Sequence, residues 1–197
     1  MNCDHDDIKI VGQTAHFAGR IFPCTLGRNG VRQDKREGDG TTPAGRFELL
    51  DILYRPDRLD PAQFARLRPA RSRAAPCPHR LNSVQHPSFR PLRRRDIWSD
   101  DPTDPDYNRF IAMGHPHHKS HERLWRQDHQ YDLIIPVAYN WHAPVAGVGS
   151  AIFIHVWRAP RRPTEGCVAF AFSDLLWIIA RVSARTCLIV SPPSGMS

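Results

Sequence analysis

No stretch of this chain sustains a long helical repeat. Its apolar residues come in short runs, and glycine or proline closes almost every one of them. With 18 prolines and 12 glycines distributed through 197 residues, turns are frequent and long helices are excluded, which favours many short strands. The hydrophobic fraction is 41% and the charged fraction 24%, an ordinary globular balance, and the length fits a single domain, 1–197, with a substantial core. The expected fold is therefore mainly β.

The runs can be placed. Ile8 to Thr25 alternates loosely around Gly12 and Gly19 and predicts two or three short antiparallel strands. Leu26 to Gly45 is polar and punctuated by Gly38, Gly40, Pro43 and Gly45, the composition of a structured loop. Strands are expected at Phe47–Tyr54, Tyr131–Ala138, Ala151–Trp157 and Thr186–Ser191. Leu175, Ile178, Ile179 and Val182 fall on one helical face, so one helix is expected over Ser173–Val182, with Ser173 as N-cap and Asp174 in the first turn. Pro56 to Arg95 is rich in arginine and proline. It predicts an irregular excursion with a short helix at Pro61–Arg68 capped by Asp60, and is too poor in apolar residues for a core of its own.

The formal charge is +7, carried almost wholly by arginine, since Lys9, Lys35 and Lys119 are the only lysines. A basic surface attracts polyanions such as nucleic acid, anionic lipid or an acidic cell-wall polymer. No aromatic-rich RNA-binding strand or zinc-finger spacing supports nucleic acid, and no apolar run is long enough to span a bilayer. The opening MNCDHDD lacks the basic and apolar regions of a secretory signal. That is compatible with a cytoplasmic location, a trimmed form or another export route.

Three constellations carry possible chemistry. Asp100, Asp101, Asp104 and Asp106 sit among prolines, but the glycine and terminal glutamate of a calcium loop are missing, so turn capping is the expected role. His115, His117, His118 and His121 cluster, yet without HExxH or a third ligand they predict no zinc site. The five cysteines, Cys3, Cys24, Cys77, Cys167 and Cys187, show no CxxC spacing. Cys24 and Cys187 lie in apolar runs and read as small buried hydrophobes.

Cys167 is different. It follows Gly166, lies close before the expected helix, and comes twelve residues after His155, which ends an apolar strand (167 − 155 = 12). A thiol needs a base or a positive environment to act as a nucleophile. His155 is the candidate base, and Gly166 allows an amide to face a developing oxyanion.

These residues resemble the signature of the YkuD-type L,D-transpeptidases, in which a histidine ends one strand and Ser/Thr-His-Gly-Cys-Val/Ile follows. Ile154-His155 stands for the first part and Thr164-Glu165-Gly166-Cys167-Val168 for the second. Thr42-Pro43-Ala44-Gly45-Arg46-Phe47 resembles the family's T-P-x-G-x-F. Together with Asp100–Phe110, His121–Ile135 and Gly149–His155, the resemblance covers about Leu26 to Val190 and points to a divergent proteobacterial branch. Glu165 replaces the motif's histidine, Val156 the polar residue or glycine after the first histidine, and Ala169 the usual arginine.

The resemblance implies mixed β-sheets packed as a sandwich with one C-terminal helix, and no metal or cofactor. It implies thioester chemistry at Cys167 with His155 as base, and an oxyanion site from the Gly166 and Cys167 amides. The partners are peptidoglycan peptide stems in the cell envelope or periplasm, and a carbapenem adduct is expected at Cys167. The product is a 3→3 or 1→3 cross-link; an L,D-carboxypeptidase or endopeptidase, and a non-catalytic cell-wall binding module, are the alternatives. Glu165, Tyr107, Asn108, Arg126 and Asn140 are candidate substrate contacts, and the group that orients His155 is a backbone carbonyl or another side chain.

Overall fold

The computed structural model describes residues 7–59, 88–111, 120–183 and 185–192. The expected helix at 61–68, Cys3, Cys77, and three histidines of the cluster (His115, His117 and His118) lie outside these residues.

The N-terminal region is the expected meander: β1 (Ile8–Val11), β2 (Thr14–Phe17) and β3 (Arg20–Thr25), each antiparallel to the next. The glycine-rich loop contributes only a short pair, β4 (Val31–Arg32) and β5 (Thr42–Pro43). The single strand expected at Phe47–Tyr54 is two, β6 (Gly45–Glu48) and β7 (Ile52–Tyr54), which pair with different partners. Next come β8 (Phe89–Pro91), β9 (Ile97–Ser99), β10 (Phe110–Ile111), β11 (His121–Arg123), β12 (Leu133–Pro136), β13 (Phe153–Val156) and β14 (Val168–Phe170). The helix α1 (Phe172–Ile179) and β15 (Cys187–Val190) close the order.

Ten of the strands form one curled mixed sheet, in the order β6-β15-β1-β2-β3-β14-β13-β12-β7-β8. A three-stranded sheet, β10-β9-β11, accompanies it. Among the described residues the fold is mainly β with one short helix, consistent with the expected class, but one large sheet dominates.

Strand alternation divides the core in two. One face holds Ile8 and Ile10 of β1, Ile52 of β7, Ile135 of β12, Ile154 of β13 and Phe170 of β14, packed with Leu175, Ile178 and Ile179 of α1. The sheet therefore wraps the helix. The opposite face carries Leu53, Ile134, Phe153 and Cys167, packed with Trp98 and Leu124 from the smaller sheet's region. Trp98 lies edge-on to Phe153, with ring centres 5.1 Å apart.

The helix differs from expectation at both ends. Its N-cap is Ala171, with no side-chain cap, so Ser173 sits inside the first turn and does not cap it. The helix stops at Ile179, yet Val182 remains fully buried in the same cluster. Packing rather than capping fixes this helix, since eight residues form too short a segment to be stable alone.

Candidate functional site

β13 and β14 are adjacent and parallel, with His155 opposite Ala169. Continuing that register places Phe153 opposite Cys167. Because side chains alternate, His155, Phe153, Cys167 and Ala169 share one face of the sheet. His155 and Cys167 are thus diagonal neighbours on adjacent strands.

Both residues line a cleft of about 370 Å³. Arg126, Gln130 and Tyr131, Glu122 of β11, Lys35 and Glu37 of the glycine-rich loop, the 162–166 loop, Asp100 and Ser150 are among its walls.

His155 is 4% exposed. Its Nδ1 lies 2.8 Å from the Val156 carbonyl. A carbonyl only accepts, so this contact favours the tautomer with the proton on Nδ1, which leaves Nε2 its lone pair; the Gln130 backbone also faces the ring. The orienting group is therefore a backbone carbonyl. Tyr131 packs edge-on against the imidazole, ring centres 5.3 Å apart. Burial pushes the His155 pKa down to about 4, with the Val156 carbonyl opposing and Arg126 adding to the fall.

The Cys167 sulfur accepts the Phe153 N–H and donates its own proton to the Ala151 carbonyl, each at 3.3 Å. Burial pushes its pKa up to about 12; the Phe153 N–H and Lys35 oppose that rise, and Glu122 reinforces it. At neutral pH the pair rests as a neutral thiol and a neutral imidazole.

The thiol sits on a fixed backbone. Gly166 has φ +146°, and a Cβ there would lie 2.8 Å from the Thr41 carbonyl. Only glycine fits this left-handed position against the neighbouring loop. Gly27 pairs with Thr164, Arg28 N–H donates to the Thr164 carbonyl at 2.8 Å, and Thr164 N–H donates to Leu26 at 2.9 Å. The glycine-rich loop thus buttresses the cysteine's loop. Thr164 Oγ1 donates to the Cys167 carbonyl at 2.7 Å and accepts the Gly166 N–H at 3.1 Å. The Gly166 amide, expected at the oxyanion, is held by Thr164 in this structure.

Of the five expected substrate contacts, Glu165 and Arg126 line the cleft. Glu165 is exposed and ion-paired with Arg28. Arg126 is held by Glu122 at 3.0 Å and by both oxygens of Asp128, which is held at a pKa of about 2, chiefly by that guanidinium. Tyr107, Asn108 and Asn140 are outside the lining and serve structure. Tyr107 donates to Glu37 and accepts the Gly149 N–H. Asn140 closes its turn onto Val145 and Gly149.

Asn108, 2% exposed, uses its whole amide. Nδ2 donates to the Tyr139 and Asn140 carbonyls, while Oδ1 accepts Trp98 Nε1 and the Ala151 N–H. Ala151 has φ +52° and supplies the carbonyl that holds the thiol. Asn108 thereby stabilises strained backbone beside the sulfur.

The acidic loop caps itself as expected. Asp101 accepts from Thr103, and Asp104 accepts from Ser99 and Asp106. Lys35, Glu122 and Tyr131 were missed as site residues. For Lys35 the available signal was its rarity: one of three lysines in an arginine-rich chain, inside the glycine-rich loop.

No curated protein and no solved structure matches the chain. A family model does: that of YkuD, the L,D-transpeptidase catalytic domain, matches residues 17–190 and so spans the glycine-rich loop, the whole cleft and the strand pair beneath it. The chain belongs to the YkuD family of L,D-transpeptidase catalytic domains.

Proposed function

We propose that this chain transfers acyl groups between peptidoglycan stem peptides in the cell envelope, through a thioester on Cys167. One observation carries the proposal: His155 and Cys167 face a single cleft from adjacent parallel strands; the Val156 carbonyl favours a proton on His155 Nδ1 and a lone pair on Nε2.

The neutral resting pair favours a concerted start. The sulfur attacks the scissile carbonyl of a tetrapeptide stem as His155 Nε2 takes the thiol proton, so no free thiolate need form in the buried site. The carbonyl π pair moves to oxygen, where the Cys167 amide is the candidate donor. As the C–N bond breaks, His155 returns the proton to the departing terminal D-amino acid. A second stem's amine then attacks the thioester, its surplus proton passes to His155, and sulfur leaves as the thiol. Two lining atoms, Asp100 Oδ1 and Ser150 Oγ, are buried without a hydrogen-bond partner among the described residues. They are polar groups of the kind a peptide ligand satisfies.

A carbapenem tests the nucleophile. The wild type is expected to gain its mass on the peptide bearing Cys167, and Cys167→Ala to gain none. His155→Ala should acylate roughly 10²–10⁴-fold more slowly, the usual contribution of a general base. An unlabelled wild type overturns the proposal. With disaccharide-tetrapeptides as substrate, dimers are the predicted product, and their fragmentation reads a 3→3 or 1→3 linkage. Trimmed monomers alone would assign hydrolysis instead.

A further inference from the structure

Lys35 is the ionised group best placed to add to this chemistry. It is 5% exposed, and lysine is almost never buried this far without a partner. The partner is Asp39, whose Oδ1 accepts from Nζ at 2.8 Å; the Arg36 carbonyl accepts a second N–H at 3.2 Å. An ammonium has three donors, so one remains for the cleft that Lys35 lines. Asp39 in turn receives the Arg36 and Thr41 amides and the Thr41 hydroxyl. Its charge is shared among four donors from three residues, Lys35, Arg36 and Thr41, which leaves the ammonium incompletely neutralised.

The position of that ammonium is specific. A Cβ added to Gly166 would stand 3.5 Å from Lys35 Nζ, and one added to Gly149 would stand 3.1 Å from Lys35 Cε. The side chain therefore runs between the residue before the nucleophile and the residue before Ser150. Ser150 is 5% exposed, and its hydroxyl, which lies by the Tyr107 hydroxyl, makes no hydrogen bond of normal geometry among the described residues. Meanwhile the Gly166 amide is occupied by Thr164 Oγ1. This corner of the cleft thus has a spare ammonium N–H and a spare hydroxyl where a backbone donor is already committed.

We propose that Lys35, with Ser150 beside it, donates to the oxyanion formed when Cys167 adds to the scissile carbonyl. A sulfur lone pair forms the S–C bond as His155 Nε2 takes the thiol proton, the carbonyl π pair becomes the oxyanion, and Lys35 donates a hydrogen bond to it without transferring a proton. Its charge also favours negative sulfur at the moment of attack, against the opposing carboxylate of Glu122. The inference rests on Cys167 being the nucleophile.

The test compares wild type, K35M, K35R and S150A in two reactions at Cys167. Carbapenem acylation builds an oxyanion; iodoacetamide alkylation does not. K35M is expected to slow acylation roughly 10²-fold, the effect of losing one oxyanion donor, and to move the midpoint of the alkylation pH profile upward. K35R should recover part of the acylation rate, and S150A should slow acylation while leaving the alkylation profile in place. If K35M does not fold, as judged by its thermal transition, K35Q replaces it, because an amide still donates to Asp39 without the charge. Two results overturn the role of Lys35: a folded neutral variant that acylates within twofold of wild type, or one that raises KM for a tetrapeptide stem with kcat unchanged. The second would make Lys35 an anchor for a substrate carboxylate. A wild type that carbapenem does not label at all overturns both this inference and the thioester reading.

Discussion

The buried imidazole makes a quantitative demand on stability. His155 is held neutral in the fold with a pKa of about 4, whereas an unfolded histidine titrates near 6.5. As pH falls from neutrality the unfolded chain takes up this proton first, so stability drops between about pH 6.5 and pH 4 and levels off below. With those two values the loss is about 2 kcal/mol at pH 5 and approaches about 3 kcal/mol below pH 4. For a chain of this size that is about 4–8 °C in Tm at pH 5. Asp128, Arg126 and Tyr131 also face the imidazole, and Asp128, held at a pKa of about 2, titrates in the fold below this window. The variant His155→Gln isolates the histidine, since it retains the carboxylates. Urea unfolding of both proteins from pH 8 to pH 4 should give curves that converge or cross as pH falls, the wild type losing about 2 kcal/mol more by pH 5. Parallel curves would refute a histidine buried in its neutral form. The same group sets the acid limb of carbapenem acylation, expected near pH 4 rather than near 6.5.

Three substitutions test the scaffold. Gly166→Ala meets the Thr41 carbonyl at φ +146°; it should cost about 1–3 kcal/mol in chemical denaturation and displace the thiol, cutting acylation. Asn108→Ala removes four hydrogen bonds from a buried site and should cost about 3 kcal/mol by orphaning their partners. Its acylation rate should fall even where the protein is fully folded, because Ala151 loses its support. Glu165→Gln breaks an exposed pair with Arg28, so its Tm should stay within about 2 °C of wild type, as for most surface ion pairs.

Much of this architecture is written locally. The β1–β3 meander, β12, β13 and β15 are short apolar runs closed by turn residues, and each lies within the expected stretch. The acidic loop is equally local, since an aspartate caps the residues just ahead of it. Pairing between distant segments is not local. Nothing in Gly45–Glu48 or Ile8–Val11 names Cys187–Val190 as the common neighbour of both. The split between β6 and β7 follows from such pairing, because Arg46–Glu48 joins β15 while Leu53–Tyr54 joins β12.

The site shows the same division. His155 and Cys167 stand out by type and context, but their common cleft depends on a parallel register between β13 and β14. Tyr107, Asn108 and Asn140 look in sequence like polar groups awaiting a ligand; in the fold Tyr107 and Asn108 are satisfied by groups from other segments, and Asn140 within its own turn. Lys35 is the reverse case. Its importance arises only when the glycine-rich loop closes over Gly166, a contact between residues more than a hundred positions apart.

The most direct test of the account is to trap the acyl-enzyme itself. The protein would be mixed with a disaccharide-tetrapeptide, quenched in acid within seconds, digested, and read by mass spectrometry. The account predicts a mass increase on the peptide containing Cys167 equal to the stem minus its terminal D-amino acid, in wild type and absent from Cys167→Ala. Turnover of that substrate with no adduct on Cys167 at any quench time, or undiminished turnover by Cys167→Ala, would contradict it.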